Sequence, residues 1–100
     1  MAKRNNYKFY KNKRTKYHPS IEVASNKRRW KNLEVTSSPT ATGRYIELKQ
    51  NPNGSDKKAY VRKYVRNDPI QTRGQLLKKY NLSEEDLIEI EEFLESNKKS

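Results

Sequence analysis

The chain predicts an α+β fold: a small SH3-like antiparallel β-barrel or twisted sheet followed by two C-terminal helices. Short apolar runs with two-residue alternation recur at about ten-residue spacing between residues 20 and 66. After Asp68-Pro69 the apolar period lengthens to about 3.6, as a helix requires. The hydrophobic share is 31% in 100 residues, enough for one small core, and seven tyrosines add ring area while keeping a hydroxyl for water or a partner.

The elements follow in order. Residues 1–16 read as a basic, flexible N-terminal arm containing Tyr7-Lys-Phe-Tyr10 and Lys11-Asn-Lys-Arg-Thr-Lys16. Within it Tyr7–Tyr10 also has the alternation of an edge strand, Tyr7 and Phe9 facing one way. Residues 17–100 form one small domain. Its strands centre on Ile21 and Val23, on Leu33 and Val35, on Tyr45, Ile46 and Leu48, and on Tyr60–Val65. The separators Ser37-Ser38-Pro39, Thr42-Gly43 and Asn51-Pro52-Asn53-Gly54 combine residues that fix φ with residues that accept positive φ, so strands end there. Leu76, Leu77 and Tyr80 make one short helical face, and Leu87, Ile88, Ile90, Phe93 and Leu94 another. Ser83 is placed to cap the second helix, with Glu84, Glu85 and Asp86 at the positive end of its dipole; the helix's carboxylates read as a solvated outer face.

Charge is divided unevenly along the chain. Residues 1–66 carry 18 Lys/Arg against 4 Asp/Glu, and residues 67–100 carry 5 against 8, so +14 is followed by −3. Uncompensated positive charge repels itself, and the usual reason to keep it is a polyanionic partner; a basic surface that merely maintains solubility is the plainer alternative. With no cysteine and one histidine, disulfides, cysteine-ligated zinc and a histidine metal cluster are excluded, and no cofactor is expected. The start Met-Ala-Lys-Arg-Asn-Asn lacks the apolar stretch of a secretory signal and no bilayer-spanning run occurs, so the expectation is a cytoplasmic protein without a membrane partner. G-x-G-x-x-G, Walker, H-E-x-x-H and G-x-S-x-G motifs are absent.

Three places carry candidate nucleic-acid contacts. Asn26-Lys-Arg-Arg-Trp-Lys31 is the densest cationic run: Lys27, Arg28, Arg29 and Lys31 would meet phosphates and Trp30 would stack on a base, or else Trp30 anchors the core with the cations around it. Along Ala59-Tyr-Val-Arg-Lys-Tyr-Val-Arg66, alternation sets Tyr60, Arg62, Tyr64 and Arg66 on one face, suited to stacking bases and holding phosphates, or to packing under helices with the Arg stems extended to water. Arg14, Lys16 and Arg44 extend the basic surface.

Read in order, His18-Pro19-Ser-Ile-Glu-Val23, Leu33-Glu-Val-Thr36-Ser37-Ser-Pro39, Ala59–Arg66, Leu76 and Leu77, and Leu82-Ser-Glu-Glu-Asp-Leu87 resemble the MazF/PemK toxin family. The resemblance implies an SH3-like barrel with C-terminal helices, metal-independent cleavage of single-stranded RNA, and a homodimer. It also has departures. The family's N-terminal Gly-Asp-Ile/Val strand and its Gly-rich segment are missing, and His18 stands where the catalytic Arg precedes the proline. Thr36 carries over, so His18 and Thr36 are the candidate catalytic pair, with Arg14 or Lys16 as phosphate cation. A histidine beside proline is equally a turn residue, and a strand threonine an ordinary β former.

Three functions are therefore in play: a non-enzymatic nucleic-acid-binding module, with RNA favoured over DNA because the acidic C-terminal helix would be repelled from a major groove; a divergent PemK-like endoribonuclease; and a small regulatory protein docking on an acidic protein surface.

Overall fold

The computed structural model describes residues 7–98. Its strands are β1 (Phe9–Asn12), β2 (His18–Ser25), β3 (Arg29–Thr36), β4 (Tyr45–Glu47), β5 (Tyr60–Pro69) and β6 (Arg73–Leu76), followed by the helix α1 (Glu84–Lys98). Short 3-10 turns at Lys13–Thr15 and Ile70–Thr72 follow β1 and β5. The strands form one antiparallel sheet in the order β4-β5-β3-β2-β1-β6. The sheet is open, with β4 and β6 as its edges, so of the two expected forms, barrel or twisted sheet, the barrel does not close.

Register sorts the side chains into two layers. Phe9 pairs with Ile21, Ile21 with Leu33 and Leu33 with Val65, aligning four apolar residues across β1, β2, β3 and β5. Phe9, Ile21 and Leu33 with Val35, Ile46, Leu48, Ala59 and Val61 make the apolar core, into which α1 inserts Ile90, while Val65, Phe93 and Leu94 pack at its side. Strand alternation sends the intervening residues to the other face. There Asn12, Ser20, Trp30, Asn32 and Asp68 are also buried. The chain leaving β5 crosses this face, since Trp30 Nε1 donates to Thr72 Oγ1 at 3.0 Å and the Trp30 ring meets Tyr10 edge-on at 6.1 Å.

The buried polar residues form a closed network. Asn12 Nδ2 lies 3.1 Å from Asn32 Oδ1, 3.2 Å from Asp68 Oδ2 and 3.4 Å from Ser20 Oγ. Asn32 Nδ2 donates to Asp68 Oδ2 at 3.0 Å, and Arg66 grips both carboxylate oxygens at 3.0 and 3.2 Å. Four strands are thereby tied through side chains, and among the described residues no buried side-chain polar atom lacks a partner. Burial acts to raise the Asp68 carboxyl, but hydrogen bonds from Arg66, Asn32 and Asn12 and the guanidinium charge outweigh it and hold the carboxyl below its ordinary value.

Two expectations are corrected. The segment that reads as a basic arm enters the sheet at Phe9: β1 lies between β2 and β6, with Phe9 only 1% exposed and its ring 5.5 Å from Tyr80. It is an interior strand, and only residues 1–6 of the expected arm lie outside the described residues. Likewise a single helix follows the sheet, not two. Leu76 ends β6, Leu77 N donates to Phe9 O at 2.8 Å, and Tyr80 N closes one turn on Leu77 O. A segment this short cannot recover the cost of helix nucleation, whereas pairing with β1 satisfies its backbone at once. Gly74 permits the pairing, because a Cβ there would stand 2.8 Å from Lys11 O.

Ser83 caps α1 through its Oγ, which accepts from Asp86 N at 3.2 Å. Asp86 departs from the solvated reading of the helix's acids: it is fully buried and accepts from Lys49 N and Gln50 N at 2.8 and 3.2 Å. It therefore clips the helix to the segment after β4. Glu84, Glu85, Glu89, Glu92 and Glu95 are exposed.

The network makes stability acid-sensitive. Because the folded Asp68 carboxyl titrates below its unfolded value, its contribution is present above the unfolded pKa and is lost as pH falls through the folded one. Urea unfolding at neutral pH should show Asp68→Ala destabilised by about 3 kcal/mol, with the gap to the parent closing as the pH is taken below about 4.

Candidate nucleic-acid interface

Two tight turns present the exposed cations. At the β2–β3 hairpin, Asn26 Oδ1 accepts from Arg28 N and Arg29 N, both at 2.8 Å, and Asn26 N donates to Arg29 O. The asparagine acts as a local backbone mimic, leaving Lys27, Arg28 and Arg29 exposed together. Arg29 is also oriented, its Nε donating to Asn67 Oδ1 at 2.8 Å and a terminal nitrogen to Asn67 O at 2.6 Å. Both acceptors are neutral, so the guanidinium is fixed in place without losing its charge. Among the described residues none of these three cations is ion-paired.

The second turn follows β1. Asn12 Oδ1 accepts from Arg14 N at 2.9 Å and Asn12 O accepts from Tyr17 N at 2.8 Å. Lys16 and Tyr17 take φ of 56° and 65°, the left-handed region that costs a side-chain-bearing residue about 1–2 kcal/mol each. Lys13, Arg14 and Lys16 are exposed on this turn, and Tyr17 is 60% exposed. Tyr17 is not among the candidates that the sequence supplies.

Other candidates are distributed differently. Trp30 is fully buried, so it anchors the face opposite α1 and offers no ring to a base. Lys31 lines a hollow with Glu91 and Glu95 of α1, and Arg44 lines another with Glu89 and Glu92. The expected Tyr/Arg stripe on β5 is interrupted. Between the pairs Leu33–Val65 and Val35–Val61, β3 has Glu34 where β5 has Arg62, Lys63 and Tyr64. This bulge pushes all three into solvent. Arg62 covers the Tyr64 ring at 5.8 Å, Tyr60 packs edge-on to Tyr45, and Arg66 is committed to Asp68.

His18 begins β2 and Thr36 ends β3 at the same end of the β2–β3 ladder, beyond its last pair Ser20–Glu34. His18 is half exposed, with Nδ1 3.8 Å from Glu34 Oε2, and Thr36 Oγ1 accepts from Ser38 N at 3.1 Å in the turn leaving the strand. Among the described residues no group of three or more His, Cys, Asp or Glu could hold a metal, and no helix is long and apolar enough to cross a membrane.

The strained turn has a measurable consequence. Lys16→Gly removes the left-handed penalty from an exposed position, and the expected outcome is a gain of about 1 kcal/mol, read as a higher urea midpoint at unchanged m-value.

Comparison with known protein families, with curated proteins and with solved structures finds no match to this chain.

Proposed function

We propose that this domain binds single-stranded nucleic acid, RNA in preference to duplex DNA, through the hairpin tip Lys27–Arg29 and the turn Lys13–Tyr17. The observation that carries the reading is Arg29, a guanidinium oriented by neutral amide oxygens beside Lys27 and Arg28, which have no ion pair among the described residues. A phosphate-binding arginine benefits from that arrangement, because orientation lowers the ordering cost while the full charge stays available. Stability alone gives no reason to collect such cations on one turn.

The two basic turns lie at opposite ends of β2, about 23 Å apart along an extended strand of its length. That spacing suits a flexible strand of several nucleotides. A rigid duplex is less suited, since the exposed face of α1 carries Glu84, Glu85, Glu89, Glu92 and Glu95 and would be repelled from a groove.

Fluorescence anisotropy with a labelled single-stranded RNA across a salt series tests the reading. If six cations contact phosphates, log K should fall with log[salt] at a slope of about −4, and each of Lys27→Glu and Arg28→Glu should reduce that slope by about 0.7 or more. Affinity independent of salt, or no binding, would overturn it. Gel analysis of the same samples addresses the endoribonuclease alternative, for which metal-free cleavage abolished by His18→Ala is the expected signature. Binding to an acidic protein that RNA fails to displace would instead favour the regulatory alternative.

A further inference from the structure

We infer that Tyr17 is a stacking platform for one unpaired nucleobase, with Lys13, Arg14 and Lys16 placed for the phosphates on either side of it. The inference rests on the single-strand reading above and identifies the part of the ligand that this turn recognises.

Tyr17 and Tyr64 are the large hydrophobic side chains left most exposed among the described residues, at 60% and 58%. They differ in what covers them. Tyr64 has the Arg62 guanidinium over its ring, while Tyr17 takes part in no ring or cation contact among the described residues. An aromatic side chain 60% exposed, with no ring or cation set against it among the described residues, is open to a planar ligand.

The backbone strengthens the argument. Lys16 and Tyr17 are consecutive left-handed residues, and neither is the Gly or Asn that this conformation favours. Strain of this kind persists where the surroundings over-determine it. Asn12 does so here: its carbonyl accepts from both Tyr17 N and Thr15 Oγ1, and its side-chain oxygen accepts from Arg14 N. Asn12 is itself fully buried and bound to Asn32 and Asp68. The ring is thus carried on a turn locked to the sheet interior, which reduces the ordering cost of binding. Lys13, Arg14 and Lys16 have no ion pair among the described residues, so the turn keeps its positive charge.

Stacking and charge separate when a labelled oligouridylate is compared with a ribose-phosphate oligomer of equal length lacking bases. The parent protein should bind the oligouridylate about tenfold more tightly than the abasic oligomer; Tyr17→Ala should erase that preference and Tyr17→Trp should retain it. Tyr17→Asn, which accepts the left-handed backbone, should lose the preference yet melt at a higher temperature than the parent. A base preference surviving in Tyr17→Ala, or a lower melting temperature for Tyr17→Asn, overturns the platform. Equal binding of both oligomers by the parent also overturns it while leaving the nucleic-acid reading intact, whereas binding of neither removes both.

Discussion

The carboxylate of Asp68, shared among Arg66, Asn32 and Asn12, is the contact on which the rest of the architecture depends. It joins β1, β3 and β5 through side chains on the face away from the helix, where few apolar residues are present to hold them. A buried carboxylate is costly unless its lone pairs are filled, and here both oxygens are engaged. Asn12 makes the network more than a local brace. The residue that helps satisfy Asp68 also closes the turn carrying Lys13, Arg14, Lys16 and Tyr17, so interior order is transmitted directly to a charged surface.

The molecule divides its work between two layers. One face of the sheet is apolar and covered by α1, with Ile90 in its centre and Asp86 clipping the helix start to the chain after β4. The other is built from amides, Trp30, and an ion pair between Glu22 and Arg73, whose guanidinium also lies over the Tyr10 ring. This division explains how a chain with 31% hydrophobic residues can order a sheet of this width. Carboxylates pair with Arg66, Arg73 and Lys58, while among the described residues the cations at the two turns have no ion pair.

The corrected elements share a physical cause. Leu76 belongs to a segment too short to read as a strand alone, and Phe9 to a basic one whose alternation suggests at most an edge strand, yet each supplies the other's neighbourhood: β1 offers hydrogen bonds to β6, and the Phe9 ring is covered by Tyr80. Such pairing joins residues more than sixty positions apart and leaves little local trace. The bulge at Arg62–Tyr64 is similar. Alternation along β5 is regular in sequence, and the interruption arises because β3 provides a single residue opposite three. Trp30 is ambiguous for a different reason: the cations around it report the hairpin surface, whereas its own burial depends on Tyr10 and Thr72 arriving from distant strands and turns.

Composition and local pattern sufficed for the strands β2, β3, β4 and the start of β5, for the Ser83-capped helix, and for the cationic hairpin at Lys27–Arg29. These features rest on side-chain periodicity, turn chemistry and charge, which neighbouring residues carry. Long-range contact decided the open strand order, the interior position of β1, the absence of a second helix and the exposure of Tyr17. Each depends on which backbone donors and buried amides meet across the sheet, and a left-handed pair such as Lys16–Tyr17 becomes tolerable only when Asn12 is already fixed from within.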